Sequence, residues 1–133
     1  IGLPGWTDPD NRRPYPWGRE TQEGKEILQF SRELIKVYKN CASLRKGSFD
    51  FIDWQGGYLA YASWNDDESI VTIVNREEKT VDAELPLWLL DKKKGEIEIL
   101  FSTKVVNIEN KYYDDGIKRL KIPEKTALII KIN

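Results

Sequence analysis

Residues 58–75 read YLAYASWNDDESIVTIVN, two apolar stretches around a polar turn. In YLAYASW (58–64) and SIVTIVN (69–75) the alternation has the period of a strand that buries one face. Asn65-Asp66-Asp67 between them is the residue chemistry that closes a hairpin. The same texture runs outward through SFDFID (48–53), TVDAEL (80–85), EIEILF (96–101), KVVNIE (104–109), IKRLKI (117–122) and TALIIKI (126–132). Gly56-Gly57, Lys94-Gly95 and Asp115-Gly116 supply further turn signals. Eight short strands with polar turns predict a small antiparallel sandwich or barrel over residues 48–133.

Upstream of this region the period changes. Ile27, Phe30, Leu34, Tyr38 and Cys41 follow steps of three and four, with Leu28 and Ile35 widening the stripe. That spacing predicts an amphipathic helix over 22–46, which can break near Asn40–Leu44. Glu20 and Glu23 stand near its start, and Arg45 and Lys46 near its end, the order that suits the helix dipole. Gly47 suits the left-handed position just past the helix. Residues 1–20, IGLPGWTDPDNRRPYPWGRE, hold four of the six prolines and read as a loop. Trp6, Tyr15 and Trp17 sit in it beside Asp8, Asp10, Arg12 and Arg13, which is not the composition of a flexible spacer.

Composition bounds the function. The chain has 133 residues, 40% hydrophobic and 32% charged, enough for one ordinary folded domain. Lys plus Arg number 21 and Asp plus Glu 22, so a net charge of −1 leaves no electrostatic footprint for nucleic acid or an anionic membrane. The chain contains no His, which removes the commonest general base and metal ligand. The single Cys41 has no partner for an internal disulfide. There is no Met, and the sequence opens on Ile1 in an apolar turn-like stretch, which points to a piece of a longer protein. No apolar run reaches transmembrane length, and the compartment stays undecided.

The order of elements carries a resemblance. GLPGWTDPDNRRPYPW, then an amphipathic helix, then LRKGSFDFI and LAYASWNDDESIVTIVN, is similar to the C-terminal end of the alpha-amylase family of glycoside hydrolases. The branch it resembles is that of neopullulanase, cyclomaltodextrinase and amylopullulanase. The resemblance implies a mainly β chain: an eight-stranded Greek-key sandwich preceded by a loop and one helix. Residues 1–47 would then be the last loop and helix of an incomplete (β/α)8 barrel, and 48–133 the C-terminal sandwich. It also implies a parent that hydrolyses α-glucosidic bonds with retention, using carboxylates upstream of Ile1. This chain alone would be inactive. The implied partners are the missing catalytic barrel and an α-glucan or maltooligosaccharide substrate.

Asp8 and Arg12 match the family positions that hold a glucose unit, and sugar hydroxyls suit a carboxylate and a planar multi-donor guanidinium. Read without the resemblance, Asp8 caps a turn before Pro9 and Arg12 pairs with a nearby carboxylate. Trp6, Tyr15 and Trp17 either stack on sugar faces or pin the loop, with Trp17 expected to be the most buried. Trp54, Trp64 and Trp88 read as sandwich packing, and the alternative is a non-catalytic carbohydrate-binding or structural module that displays them. Asp66, Asp67 and Glu68 form an acidic cluster at the 58–75 hairpin and are not read as catalytic. Asp8, Asp10 and Asn11 fail as a calcium loop, because Arg13 and Arg19 stand where Gly and Glu are required. No metal or cofactor is expected. An exposed stripe over 27–41, centred on Phe30 and Leu34, would drive self-association of the isolated chain.

Overall fold

The computed structural model describes residues 1–53, 57–90, 96–108 and 117–133. Two compact units divide the chain, Ile1–Lys36 and Val37–Asn133. In the first, residues 1–20 form turns without helix or strand, as their prolines require. The amide of Asp10 donates to the Thr7 carbonyl at 2.9 Å, and that of Arg12 to the Pro9 carbonyl at 3.0 Å. Helix α1 spans Gln22–Asn40. Thr21 starts it: its hydroxyl accepts the Gly24 amide at 3.0 Å, meeting one of the donors that the first turn leaves unpaired. Along the apolar stripe Ile27 and Phe30 are 43% and 42% exposed.

The helical region is broken, with α1 ending at Asn40 and a short α2 spanning Ser43–Lys46. The Arg45 guanidinium explains the break. It donates to the Tyr38 carbonyl at 3.2 Å and also to the Lys39 carbonyl, satisfying the end of α1. Gly47 is not left-handed, contrary to the expectation, because its φ is −79°. What requires glycine there is space. A Cβ would lie 2.5 Å from both the Ser43 and the Trp64 carbonyl oxygens.

Among the described residues seven strands follow: β1 (Ser48–Asp53), β2 (Tyr58–Trp64), β3 (Ser69–Asn75), β4 (Val81–Pro86), β5 (Ile97–Ser102), β6 (Ile117–Ile122) and β7 (Thr126–Ile132). One sheet has the order β1-β2-β3-β7-β5, the other pairs β4 with β6, and all pairings are antiparallel. From β3 onward the chain alternates between the sheets, and the core lies between them. Ala60, Val71, Ile73 and Ile130 from one sheet meet Ala83, Leu85 and Ile122 from the other. Each fully buried Ile or Leu contributes about 1.5–3 kcal/mol relative to exposure.

The expected strand at 104–109 does not form over its described part, 104–108. Its alternation is real in burial: Val106 is buried and Val105 is 86% exposed. Among the described residues no ladder runs beside it, and burial alternation alone makes no hydrogen bonds. Trp88 corrects a second expectation. It lies in a 3-10 helix, Leu87–Leu90, and is 56% exposed while Leu87 and Leu90 are buried. Four residues at about three per turn cannot place all their side chains inward, and the two leucines take the core positions. Trp64 is partly buried against the core as expected. Trp54, Gly56 and the turns at Lys94-Gly95 and Asp115-Gly116 lie outside the described residues. Among the described residues no helix is long and apolar enough to cross a membrane.

Candidate functional site

The DPDNRRPYPW loop brings together the two residues singled out for sugar contact. Arg12 Nε lies 2.6 Å from Asp8 Oδ1, an i,i+4 pair with side chains 75% and 56% exposed. Turns around Pro9 set this approach: the Arg12 amide folds back onto the Pro9 carbonyl, carrying the guanidinium toward Asp8. Arg13 points elsewhere, donating its Nε to the Asp10 carbonyl at 3.3 Å. An ion pair this exposed adds about 0–1 kcal/mol to the fold. A guanidinium has five donors and a carboxylate several acceptor sites, more than this one contact uses.

Tyr15, not Trp17 as expected, is the most buried of the loop aromatics. Trp17 is 82% exposed and Trp6 83%. Trp17 meets Tyr15, ring centroids 4.4 Å apart and planes inclined by 46°. In this chain every residue of 1–20 is exposed or half-buried. Trp6, Tyr15 and Trp17 therefore present aromatic surface beside Asp8 and Arg12 in sequence.

The sandwich carries polar groups whose roles were invisible in the sequence. Glu68 belongs to the acidic hairpin, yet its Oε1 accepts the Ser43 amide at 2.8 Å and so caps α2 from a distant part of the chain. Asn65 builds the same hairpin, its side-chain oxygen accepting the Asp67 and Glu68 amides at 3.0 and 2.9 Å. Burial, followed by the charge of Glu68, pushes the Cys41 thiol up, which makes it an inert small hydrophobe rather than a nucleophile. Tyr58 bridges the sheets. Its hydroxyl donates to the Asp53 carboxylate and accepts the Glu84 amide at 3.0 Å. Burial above all, then the bond to Asp53, pushes its phenol up to about 12. Asn75 and Lys118 are almost completely buried, at 1% and 0% exposure. Lys118 stands on the core face of β6 in register with Leu85. Among the described residues no group of three or more Asp, Glu or Cys side chains is arranged to hold a metal ion.

Comparison with known proteins adds the family. No protein-family profile matches the chain. It is 30% identical over 103 residues to a cyclomaltodextrinase of Geobacillus thermopakistaniensis, a match covering 72% of this chain and 17% of that enzyme. It is 32% identical over 90 residues to neopullulanase 2 of Thermoactinomyces vulgaris, covering 65% of this chain and 15% of the relative. Its fold is similar to that of an Anoxybacillus alpha-amylase crystal structure, with a TM-score of 0.78 and 25% identity over 98% of this chain and 26% of that one. The chain thus spans less than a fifth of the length of these two curated relatives. The mainly β architecture and these matches agree, and the chain belongs to the alpha-amylase family of glycoside hydrolases, as a C-terminal part of an enzyme of the cyclomaltodextrinase and neopullulanase branch.

Proposed function

We propose that the chain completes a retaining α-glucan hydrolase: its first loop lines outer sugar subsites, and its sandwich supports the catalytic barrel. The observation that carries this reading is the exposed Asp8–Arg12 pair in the DPDNRRPYPW loop. A sugar ring presents vicinal hydroxyls, each both donor and acceptor. Asp8 accepts from one, and the guanidinium donates to its neighbour. Their mutual ion pair holds both groups in place before substrate arrives, which reduces the ordering cost of binding. Bond cleavage belongs to two carboxylates of the upstream barrel, one as nucleophile and one as acid and then base. The loop following the last barrel strand opens on the same C-terminal face, so its contribution is to bind and orient the glucan.

The test is Arg12→Ala in the enzyme that carries this segment behind its barrel. The loss of one charged hydrogen bond to substrate lowers kcat/KM on maltooligosaccharides by about 1–3 kcal/mol, roughly 5- to 150-fold. Substrates too short to reach the outer subsite show little change. An unchanged kcat/KM across all substrate lengths refutes the role.

A further inference from the structure

The two sheets of the sandwich turn different faces outward. On the smaller one the residues that alternate with the core are Asp82 and Glu84 of β4 and Arg119 and Lys121 of β6. They stand in register as opposite charges, and Arg119 Nε lies 2.8 Å from Glu84 Oε1. That is the pattern of an antiparallel face turned to water. The larger sheet reads differently. Phe51, Tyr61, Thr72, Ile129 and Phe101 stand in register across all five strands, on the face opposite Ala60, Val71 and Ile130. The neighbouring row is Phe49, Ser63, Ile70, Lys131 and Glu98, its charges confined to β7 and β5. We propose that the β1–β2 part of this face, formed by Phe49, Phe51 and Tyr61, is the seat on which the upstream catalytic barrel rests. The inference rests on the reading above, in which the sandwich supports the barrel, and names the surface that does so.

Burial marks the part of the face that still lacks a cover. Ile70, Thr72 and Phe101 are 1%, 7% and 8% exposed, although none belongs to the core cluster between the sheets. Phe49 and Phe51, on the edge strand β1, are 56% and 47% exposed. Their rings pack on each other and on Tyr61, with centroids 5.3 Å apart for Phe49–Phe51, 5.4 Å for Phe49–Tyr61 and 6.3 Å for Phe51–Tyr61. Rings already ordered by one another lose little freedom when a second surface covers them. Aromatic side chains gathered in one uncharged patch mark an interaction surface, and an apolar one suits a permanent contact. Two observations select the occupant. The chain spans less than a fifth of its curated relatives, so an enzyme of this branch holds a much larger body joined to this segment. In the same reading α1 is the last barrel helix, and Phe49 stands nine residues past its end at Asn40. A body tethered so near meets the patch at an effective concentration that a second copy or a free partner does not reach. The barrel offers its outer ring of helices to such a contact.

Cysteine labelling of the enzyme that carries this segment behind its barrel tests the assignment. Phe51→Cys and Asp82→Cys are made singly in a Cys41→Ala background. Each reacts with a maleimide, peptide mass spectrometry reads the site, and the rate is divided by that of the same site unfolded in urea. Both positions are exposed within the segment itself, so slow reaction at 51 reports a cover supplied from outside it. The expected result is a normalised rate at 51 at least tenfold below that at 82. Phe49→Cys behaves as Phe51→Cys does, and keeps the test open where one variant fails to fold. Equal rates at the two sheets overturn the proposal. Protection at 49 and 51 that disappears on dilution assigns the cover to a second copy and overturns it too. Arg12→Ala reads turnover on substrates of different length and leaves these labelling rates unchanged, so the loop subsite and the barrel seat fail separately.

Discussion

Asn75 offers the sharpest test of how this sandwich is held. It ends β3, is 1% exposed, and joins three segments of chain. Its Nδ2 donates to the carbonyls of Lys79 at 2.9 Å, Ile122 at 3.1 Å and Pro123 at 2.8 Å. Its Oδ1 accepts the Glu77 amide at 2.9 Å. Two hydrogens thus serve three acceptors, which ties the end of the larger sheet to β6 of the smaller one. Asn75→Asp keeps the size and the bond from Glu77 but turns a donor into a charged oxygen facing three carbonyls. Each buried polar group left without a partner costs about 1–3 kcal/mol, and the like-signed contact adds to this. Part of that loss is recovered by hydration at the sandwich end, so a net cost of about 3–5 kcal/mol is expected. Against a typical stability of roughly 5–15 kcal/mol this is a large fraction. Asn75→Ala leaves the same groups unpaired but admits water and no charge, for about 2–3 kcal/mol. Urea unfolding at pH 7, followed by tryptophan fluorescence, orders the midpoints as wild type, Ala, Asp. The introduced carboxyl is harder to ionise in the folded state, facing three carbonyls, than in the unfolded chain, so its folded pKa lies above the unfolded value of about 3.9. The deficit of Asn75→Asp is therefore largest at pH 7 and shrinks as the pH falls toward about 4. An Asp variant as stable as the Ala variant at pH 7, with a deficit independent of pH, refutes this account of the hub.

Two further predictions concern the frame of the same sandwich. Tyr58, whose phenol is pushed up to about 12, favours folding fully below the ordinary tyrosine pKa of about 10. That contribution is lost as the pH rises from about 10 through about 12, so Tyr58→Phe, about 0.5–1.5 kcal/mol less stable at pH 8, shows a shallower alkaline decline. Urea midpoints measured at pH 8, 10 and 11.5 check it, and parallel declines in the two proteins refute it. Gly47→Ala places a methyl 2.5 Å from two carbonyl oxygens and costs about 2 kcal/mol or more, whereas Gly18→Ala meets nothing within 4 Å and pays only for its positive φ of 70°. Thermal melts that rank the Gly18 variant below the Gly47 variant run against this reading.

The sequence by itself determined the periods. Alternation in SFDFID, YLAYASW, SIVTIVN and TALIIKI specifies strands because each must hide one face, and that requirement is local. The steps from Ile27 to Cys41 specify a helix for the same reason, and the prolines of 1–20 forbid both. The DPDNRRPYPW motif, with the helix and strands after it, carried the resemblance to the family. Tertiary structure decided where a period leads. Val105–Ile108 alternates in burial, but among the described residues no strand pairs with it, so it is not a strand. Tryptophan content does not say whether a core reaches it: Trp64 found one, while Trp17 and Trp88 did not. Asn75, Tyr58 and Glu68 look like ordinary polar residues in the sequence. Each acquires its role from partners 2–48, 5–26 and 25 positions away respectively, placements that tertiary packing creates. Burial then turns these few hydrogen bonds from optional contacts into requirements of the fold, because a buried donor or acceptor cannot fall back on water.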